Sequence, residues 1–261
     1  MSIAIQLHVQ TIAALWQKPP ARYDVIRLDT NNNCNLHCVY CHNERSNERI
    51  ELDDLRLLLN EKVLGVGFFQ IGCVMEPTLD PRLCDAMEVI AASPARPGRV
   101  FRLQTNATLL HRHDHRRMVE AGLNLVTISV DSIDGETHKA LRDGTSLSKV
   151  QRNLVAFRKA CPSVKMKFIT TVTSANIDDV DGLIDWGLQN GIEGIELRQM
   201  FHYRRNRIVD HARMAALEVT SAQFSSMRDR VSEKFAGKVA LLFNPIETTL
   251  RIAEEIKAAS N

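Results

Sequence analysis

The sequence has little of what marks an exported, membrane-bound or disulfide-built protein. Its 261 residues hold six cysteines, too few and too unevenly spread to staple a small scaffold. Three of them fall between positions 34 and 41, the way metal-binding or catalytic thiols sit in a reducing compartment, so a cytoplasmic protein is expected. The opening stretch MSIAIQLHVQTIAALWQKPP lacks a basic leader and a small-residue cleavage site. Gln6, His8 and Gln10 interrupt its apolar residues, so it supports neither an export signal nor a membrane span. Charge of one sign is also missing. The formal net charge is +2, and composition calls for no nucleic-acid or membrane partner. No internal repeat or low-complexity linker is present. What remains is 44% hydrophobic and 25% charged residues, enough to bury a full core, and one α/β domain is the expectation.

From about residue 23 the chain alternates short β-rich runs with helical patterns. DVIRLDT, VGFFQIG, VFRLQTN, LVTISVD, KMKFITTVT and GIELRQM read as strands. Between them, LDDLRLLLNEKV places Leu52, Leu55 and Leu59 on one helical face, and PRLCDAMEVIAAS reads as a helix with Pro81 in its first turn. HRRMVEAG and KVQRNLVAFRKA supply two more helices. The pattern predicts another from Ile177 to Gln189, capped by Asn176, with Ile177, Val180, Leu183, Ile184 and Leu188 as its apolar stripe. Six strand–helix repeats imply a parallel sheet with helical crossovers, open or closed into a full or partial barrel. In either form ligands gather at the carboxyl ends of the strands. The chemically interesting residues fall there: the cysteines after the first strand, Glu76 after the second, Asn106 ending the third, Ser129 and Asp131 ending the fourth.

The densest signal is NNNCNLHCVYCHNER, with spacing Cys34-x3-Cys38-x2-Cys41. Close thiols in a polar loop suit zinc or an iron–sulfur cluster. A structural zinc site wants a fourth ligand, and His37 or His42 is available. A four-iron cluster on three thiolates instead leaves one iron open to bind and activate a small molecule.

This spacing, with Tyr40 just before the third cysteine, resembles the radical S-adenosylmethionine (radical SAM) enzymes. The resemblance implies a partial parallel (β/α)6-type barrel. It also implies a [4Fe-4S] cluster on Cys34, Cys38 and Cys41, with S-adenosylmethionine on the open iron. One electron from the cluster then cleaves the sulfonium to a 5'-deoxyadenosyl radical, which takes a hydrogen atom from substrate. Such a radical needs a closed, water-poor chamber, and an electron donor such as flavodoxin or ferredoxin is implied as a partner. In IGCVMEPTLDP, Gly72 and Glu76-Pro77 resemble the family's Gly-Gly-Glu-Pro strand end, which receives the methionyl ammonium; Cys73, Val74 and Met75 depart from it. LQTNATLL resembles the next segment and carries Asn106, with Ala107 where glycine is common. In VTISVDSIDGETHKALRDG, Ser129 and Arg142 match positions that hold the methionyl carboxylate, a role suited to the arginine fork. Asp131 is the matching candidate for ribose or substrate, Tyr40 for the adenine edge, and Leu197 for an apolar adenine contact.

The resemblance covers roughly residues 25 to 200. On this reading residues 1–22 are a helical extension, too short for a leader-peptide domain, 23–200 the core, and 201–261 a segment that closes or caps the barrel. No cysteine follows Cys161, so that segment cannot hold the auxiliary clusters of many relatives. The substrate is expected to be a small metabolite, a sugar or a peptide. A glycyl-radical-enzyme activase and a non-catalytic zinc or iron–sulfur module are the rival readings. The run HRHDHRR is expected to be a solvated cationic surface, while Cys73, Cys84 and Cys161 are expected to be buried structural thiols, with Cys73 also placed to give a hydrogen atom. Arg204, Arg205 and Arg207 in FHYRRNRIVDHAR offer either an anion site or a solvated basic loop.

Overall fold

The computed structural model describes residues 4–7 and 16–247. The chain divides into two compact units interleaved in sequence: Met1–Asn35, Arg45–Ile128 and Lys149–Lys165 form the first, and Leu36–Glu44, Ser129–Ser148 and Met166–Asn261 the second.

The first unit is built on five parallel strands, each hydrogen-bonded to the next: β1 (Ala4–Leu7), β2 (Val25–Leu28), β3 (Val66–Ile71), β4 (Ala95–Thr105) and β5 (Leu125–Ser129). Parallel neighbours cannot be joined by a tight turn, so helices make the crossovers. They are α1 (Leu52–Glu61), α2 (Leu83–Ala92) and α3 (His115–Glu120). The strand cores alternate as period two demands: Ile26 and Leu28, Phe69 and Ile71, Phe101 and Leu103, Val126 and Ile128 are all buried. Leu55, Leu58 and Leu59 of α1 are buried with them. Each such side chain contributes about 1.5–3 kcal/mol relative to exposure.

The second unit carries α4 (Gly135–Leu141) and three further parallel strands, β6 (Lys165–Val172), β7 (Gly194–Gln199) and β8 (Ala240–Asn244), while the long helix α5 (Leu147–Ala160) belongs from Lys149 onward to the first unit. Helices α6 (Val180–Gln189), α7 (His211–Ala216) and α8 (Ser221–Lys234) make its crossovers. Gly187 leaves room for the Phe168 ring, which stacks on Trp186 at 5.2 Å.

Three local expectations are corrected. The amino-terminal extension is not helical throughout: Ala4–Leu7 is a strand, paired in register with Val25–Leu28, while Trp16 is helical. Ile5 and Leu7 alternating with Gln6 and His8 is strand period rather than helix period. Residues 8–15, and the end of the expected closing segment from 248 onward, lie outside the described residues. Asn176 does not cap a helix with its side chain; Ile177–Asp179 is a 3-10 turn and α6 begins at Val180. The Asn176 amide is drawn off by stronger local partners, accepting from Thr173 N and donating to Asp131 O and Thr171 O. Pro81 precedes the α2 cap, Arg82, instead of opening the helix.

Candidate active site: the cysteine loop and the strand ends

In the first unit, the loop after β2 is a laced structure. Its outgoing leg 30–33 and its returning leg 46–50 exchange backbone hydrogen bonds, Asn32 N to Glu48 O, Ser46 N to Asn32 O and Ile50 N to Thr30 O. The asparagines around Cys34 staple it further. Asn31 Oδ1 accepts from Asn33 N at 2.8 Å, Asn33 Oδ1 accepts from Cys34 N at 2.8 Å, and Asn35 Nδ2 donates to Thr108 Oγ1 at 2.8 Å. Arg45 Nη1 holds Cys34 O at 2.9 Å. Asparagine suits this task because its short amide satisfies backbone groups that no ladder reaches.

Gly72 ends β3 with φ of +81°, and a Cβ there would lie 2.2 Å from Gln104 O. No other residue fits so close a backbone approach. The next three amides, of Cys73, Val74 and Met75, all donate to Asp29 Oδ1 at 2.7, 3.3 and 3.2 Å. Burial pushes the Cys73 thiol well above its ordinary range, Asp29 adding to the rise and Arg27 and Arg102 opposing it. Glu76 is 3% exposed. Its Oε1 accepts from Thr78 N, Thr78 Oγ1 and Thr105 Oγ1, and its Oε2 from Asn106 N at 2.7 Å. Burial raises its carboxyl, against those four bonds. A carboxylate offers about four acceptor sites over two oxygens, so Oε2 keeps capacity for one further donor. Asn106 continues the chain of contacts, its Nδ2 meeting Asn35 Oδ1 at 3.0 Å and Cys34 Sγ at 4.0 Å. Ala107 then takes φ of +59° while fully buried, the left-handed conformation that explains why glycine would be at home there.

In the second unit, His37–Cys38 and Arg142–Asp143 form a two-residue antiparallel ladder that sets Cys38 directly opposite Arg142. The Arg142 side chain is only 10% exposed and its fork grips Asp131, Nε to Oδ2 at 2.8 Å and Nη2 to Oδ1 at 3.2 Å. Nη1 points to Cys38 Sγ at 3.8 Å. Asp131 also accepts from the Tyr40 hydroxyl and from Thr171 N. Four protein donors therefore occupy the carboxylate expected to meet ribose or substrate, and its work here is to position Arg142 and Tyr40. Burial drives the Tyr40 phenol well above its ordinary range, Arg142 pulling the other way. Burial likewise opposes the charge on Arg142, and Asp131, joined by Tyr40 and Cys38, more than restores it.

His138 is a residue to which no sequence motif points. It is fully buried, its Nδ1 accepts from Asp131 N at 3.4 Å, and Nε2 has no partner. Burial pulls the imidazole down to about 4. Cys41 N donates to Cys38 O, and Cys41 Sγ accepts from Asn43 Nδ2 at 3.8 Å. Ser129 ends β5, half-buried. Leu197 is wholly buried on β7, on the face opposite the Glu196–Arg198 ion pair.

Elsewhere, the run HRHDHRR is largely a surface, exposed at His111, Arg112, Asp114 and Arg116, and within it His113 and His115 are half-buried. Each sets Nε2 on a backbone carbonyl, of Thr78 and Leu110. Cys84 and Cys161 are buried and donate to Asp114 O and His115 O.

None of the six cysteines is in a disulfide. Among the described residues no three His, Cys, Asp or Glu side chains converge as ligands of a single ion. The cysteine set fits an iron–sulfur cluster on its chemistry: Cys34, Cys38 and Cys41 are partly exposed, and each sulfur accepts from an amide or guanidinium N–H, the contact that stabilises a ligating thiolate.

The family model for the Radical SAM superfamily matches residues 29–187. The chain belongs to the radical SAM superfamily. Its cofactors are those of the family, a [4Fe-4S] cluster and S-adenosylmethionine. It is 27% identical over 180 residues to GTP 3',8-cyclase of Hydrogenovibrio crunogenus, covering 66% of this chain and 53% of that protein. With the probable GTP 3',8-cyclase of Methanocaldococcus jannaschii it shares 26% over 222 residues, 78% of this chain and 71% of that one. The chain thus spans about half the length of several curated relatives it matches. Among solved structures, Streptococcus suis SuiB bound to S-adenosylmethionine superposes with a TM-score of 0.60 at 17% identity, over 90% of this chain and 53% of that one. The anSMEcpe protein with bound AdoMet and Cp18Cys peptide gives 0.61 at 21%, over 86% and 63%. The fold is accordingly the partial parallel (β/α) barrel of this family.

Proposed function

We propose that this chain cleaves S-adenosylmethionine reductively at a [4Fe-4S] cluster held by Cys34, Cys38 and Cys41, and that a substrate loses a hydrogen atom to the radical formed. When bound, cluster and cosubstrate supply one electron and a carbon-centred radical; the chain's own residues hold, orient and exclude. The observation that carries this reading is the set of three thiols in eight positions, each given an N–H donor by its own surroundings. Gly72 and the free acceptor site of Glu76 Oε2 suit the methionyl ammonium, and Ser129 with Arg142 suits the methionyl carboxylate. Arg142 already carries one carboxylate, Asp131, so a second would have to share its Nη1 edge. Tyr40 and Asn106 are assigned to the same cosubstrate, and Leu197 to the wall beside it.

The substrate is a small metabolite, a sugar or a peptide. The GTP 3',8-cyclases among the curated relatives make GTP the first compound to test, and the peptide-bound solved neighbours make peptides the second. The test is anaerobic. Protein reconstituted with iron and sulfide is given reductant and S-adenosylmethionine, and 5'-deoxyadenosine is measured with and without each candidate substrate. Wild type is expected to form it and a Cys34→Ala/Cys38→Ala/Cys41→Ala variant to form none; zinc uptake without any cluster would overturn the reading.

A further inference from the structure

The proposed chemistry requires an electron from outside the chain, and a surface of the second unit is built next to one of the proposed cluster ligands. The segment that follows β7, residues 200–214, packs directly on Tyr40 and His42, the two neighbours of Cys41. Met200, Val209 and Met214 form a buried apolar knot with Tyr40 against it. The Tyr203 ring stacks on His42 at 4.4 Å, and Asn206 Nδ2 donates to His42 O at 2.9 Å. Apolar packing, ring stacking and a hydrogen bond thus fix the segment in place from its inner side.

Its outer side has the composition of a docking surface. Residues 201–213 carry four arginines, at 204, 205, 207 and 213, against one carboxylate, Asp210, and Asp210 is spent capping α7. Glu218 neutralises Arg204, at 2.9 Å, and also holds His202. Arg205 and Arg207 stay exposed, beside Ile208 at 49% and Tyr203 at 38%. Exposed arginine mixed with an aromatic and an aliphatic side chain marks protein interfaces more than small-anion pockets.

We infer that Tyr203, Arg205, Arg207 and Ile208 form the docking surface for an acidic one-electron donor protein, which delivers its electron beside Cys41. This rests on the cluster reading above. The step is a single electron leaving the reduced donor and entering the oxidised cluster; no bond forms or breaks and no proton moves. The Tyr203 ring, half-exposed outside and stacked inside on the residue next to Cys41, keeps the approach short. Guanidinium groups at the rim steer an acidic partner and leave a salt-dependent rate as their signature.

The test is anaerobic stopped-flow reduction of the reconstituted cluster, followed by its visible absorbance, with reduced flavodoxin as acidic protein donor and dithionite as small donor. In an Arg205→Glu/Arg207→Glu variant, reduction by flavodoxin is expected to slow at least tenfold at low salt and to lose its salt dependence, with the dithionite rate unchanged. Equal flavodoxin rates in variant and wild type would overturn the docking surface while leaving the cluster reading intact. Equal slowing with both donors would overturn it too, since the arginines would then act on the cluster itself. A Tyr203→Leu variant, which keeps bulk and removes the stacked ring, is expected to slow flavodoxin alone; a rate equal to wild type removes Tyr203 from the surface. A wild-type protein that neither donor reduces would sink the cluster reading first.

Discussion

At the scale of single residues, the account turns on Arg142 and Gly72. Arg142 and Asp131 are a buried, bidentate pair, so deleting one partner strands the other. Arg142→Met is expected to cost about 3–5 kcal/mol in urea unfolding, and Asp131→Asn/Arg142→Met to recover most of it; a single variant as stable as wild type would contradict the burial argument. Because Nη1 donates to Cys38 Sγ, a loaded Arg142→Lys protein is expected to show a more negative cluster potential, read by a redox titration. Gly72→Ala combines positive φ with a Cβ inside Gln104 O, and a loss of at least about 2 kcal/mol is expected in the same unfolding assay. Gly72 is legible in sequence because it sits at a strand end, and Arg142 because the segment after the fourth core strand resembles the family's. Their partners are not: that Asp131 saturates itself on Arg142, Tyr40 and Thr171 depends on which loops return to it, and no local pattern encodes that.

Among the elements, α4 carries a pH-sensitive fault. His138 is buried neutral with an imidazole at about 4, lowered by burial and by Arg142, with Asp131 opposing. Unfolded, it returns to about 6.5. Between those values the unfolded chain binds the extra proton, so stability is full above about pH 6.5 and falls as pH drops toward 4. His138 alone is expected to remove about 2 kcal/mol between pH 7 and pH 5. Urea midpoints of wild type and His138→Leu at the two pH values measure it; parallel profiles would contradict it. Strands and helices are readable because apolar alternation and helical stripes are local, as in VGFFQIG and LDDLRLLLNEKV. Ala4–Leu7 escapes that reading because its four residues of strand period are embedded in a longer apolar stretch. Asn176 escapes it because capping preference loses to a set of buried carbonyls that only the fold supplies.

For the whole molecule, family membership rests on a match across residues 29–187, and the order of motifs at successive strand ends points to the same family. The first unit brings Cys34, Gly72, Glu76 and Asn106 to adjoining strand ends, and the second joins Cys38, Tyr40, Asp131 and Arg142 in one hydrogen-bonded set. The asparagine lacing of the cysteine loop is not legible in the sequence, although NNNCN displays its residues, because each amide bonds to a partner that returns from later in the chain. The central claim is that three thiolates hold a cluster with one iron left for S-adenosylmethionine. Electron paramagnetic resonance of the reduced, reconstituted protein tests it most directly, recorded before and after adding that molecule. The account predicts a reduced-cluster signal whose g values change on addition, and no such signal when Cys34, Cys38 and Cys41 are replaced by alanine. A cluster signal that S-adenosylmethionine leaves unaltered, or that survives loss of the three cysteines, would contradict it.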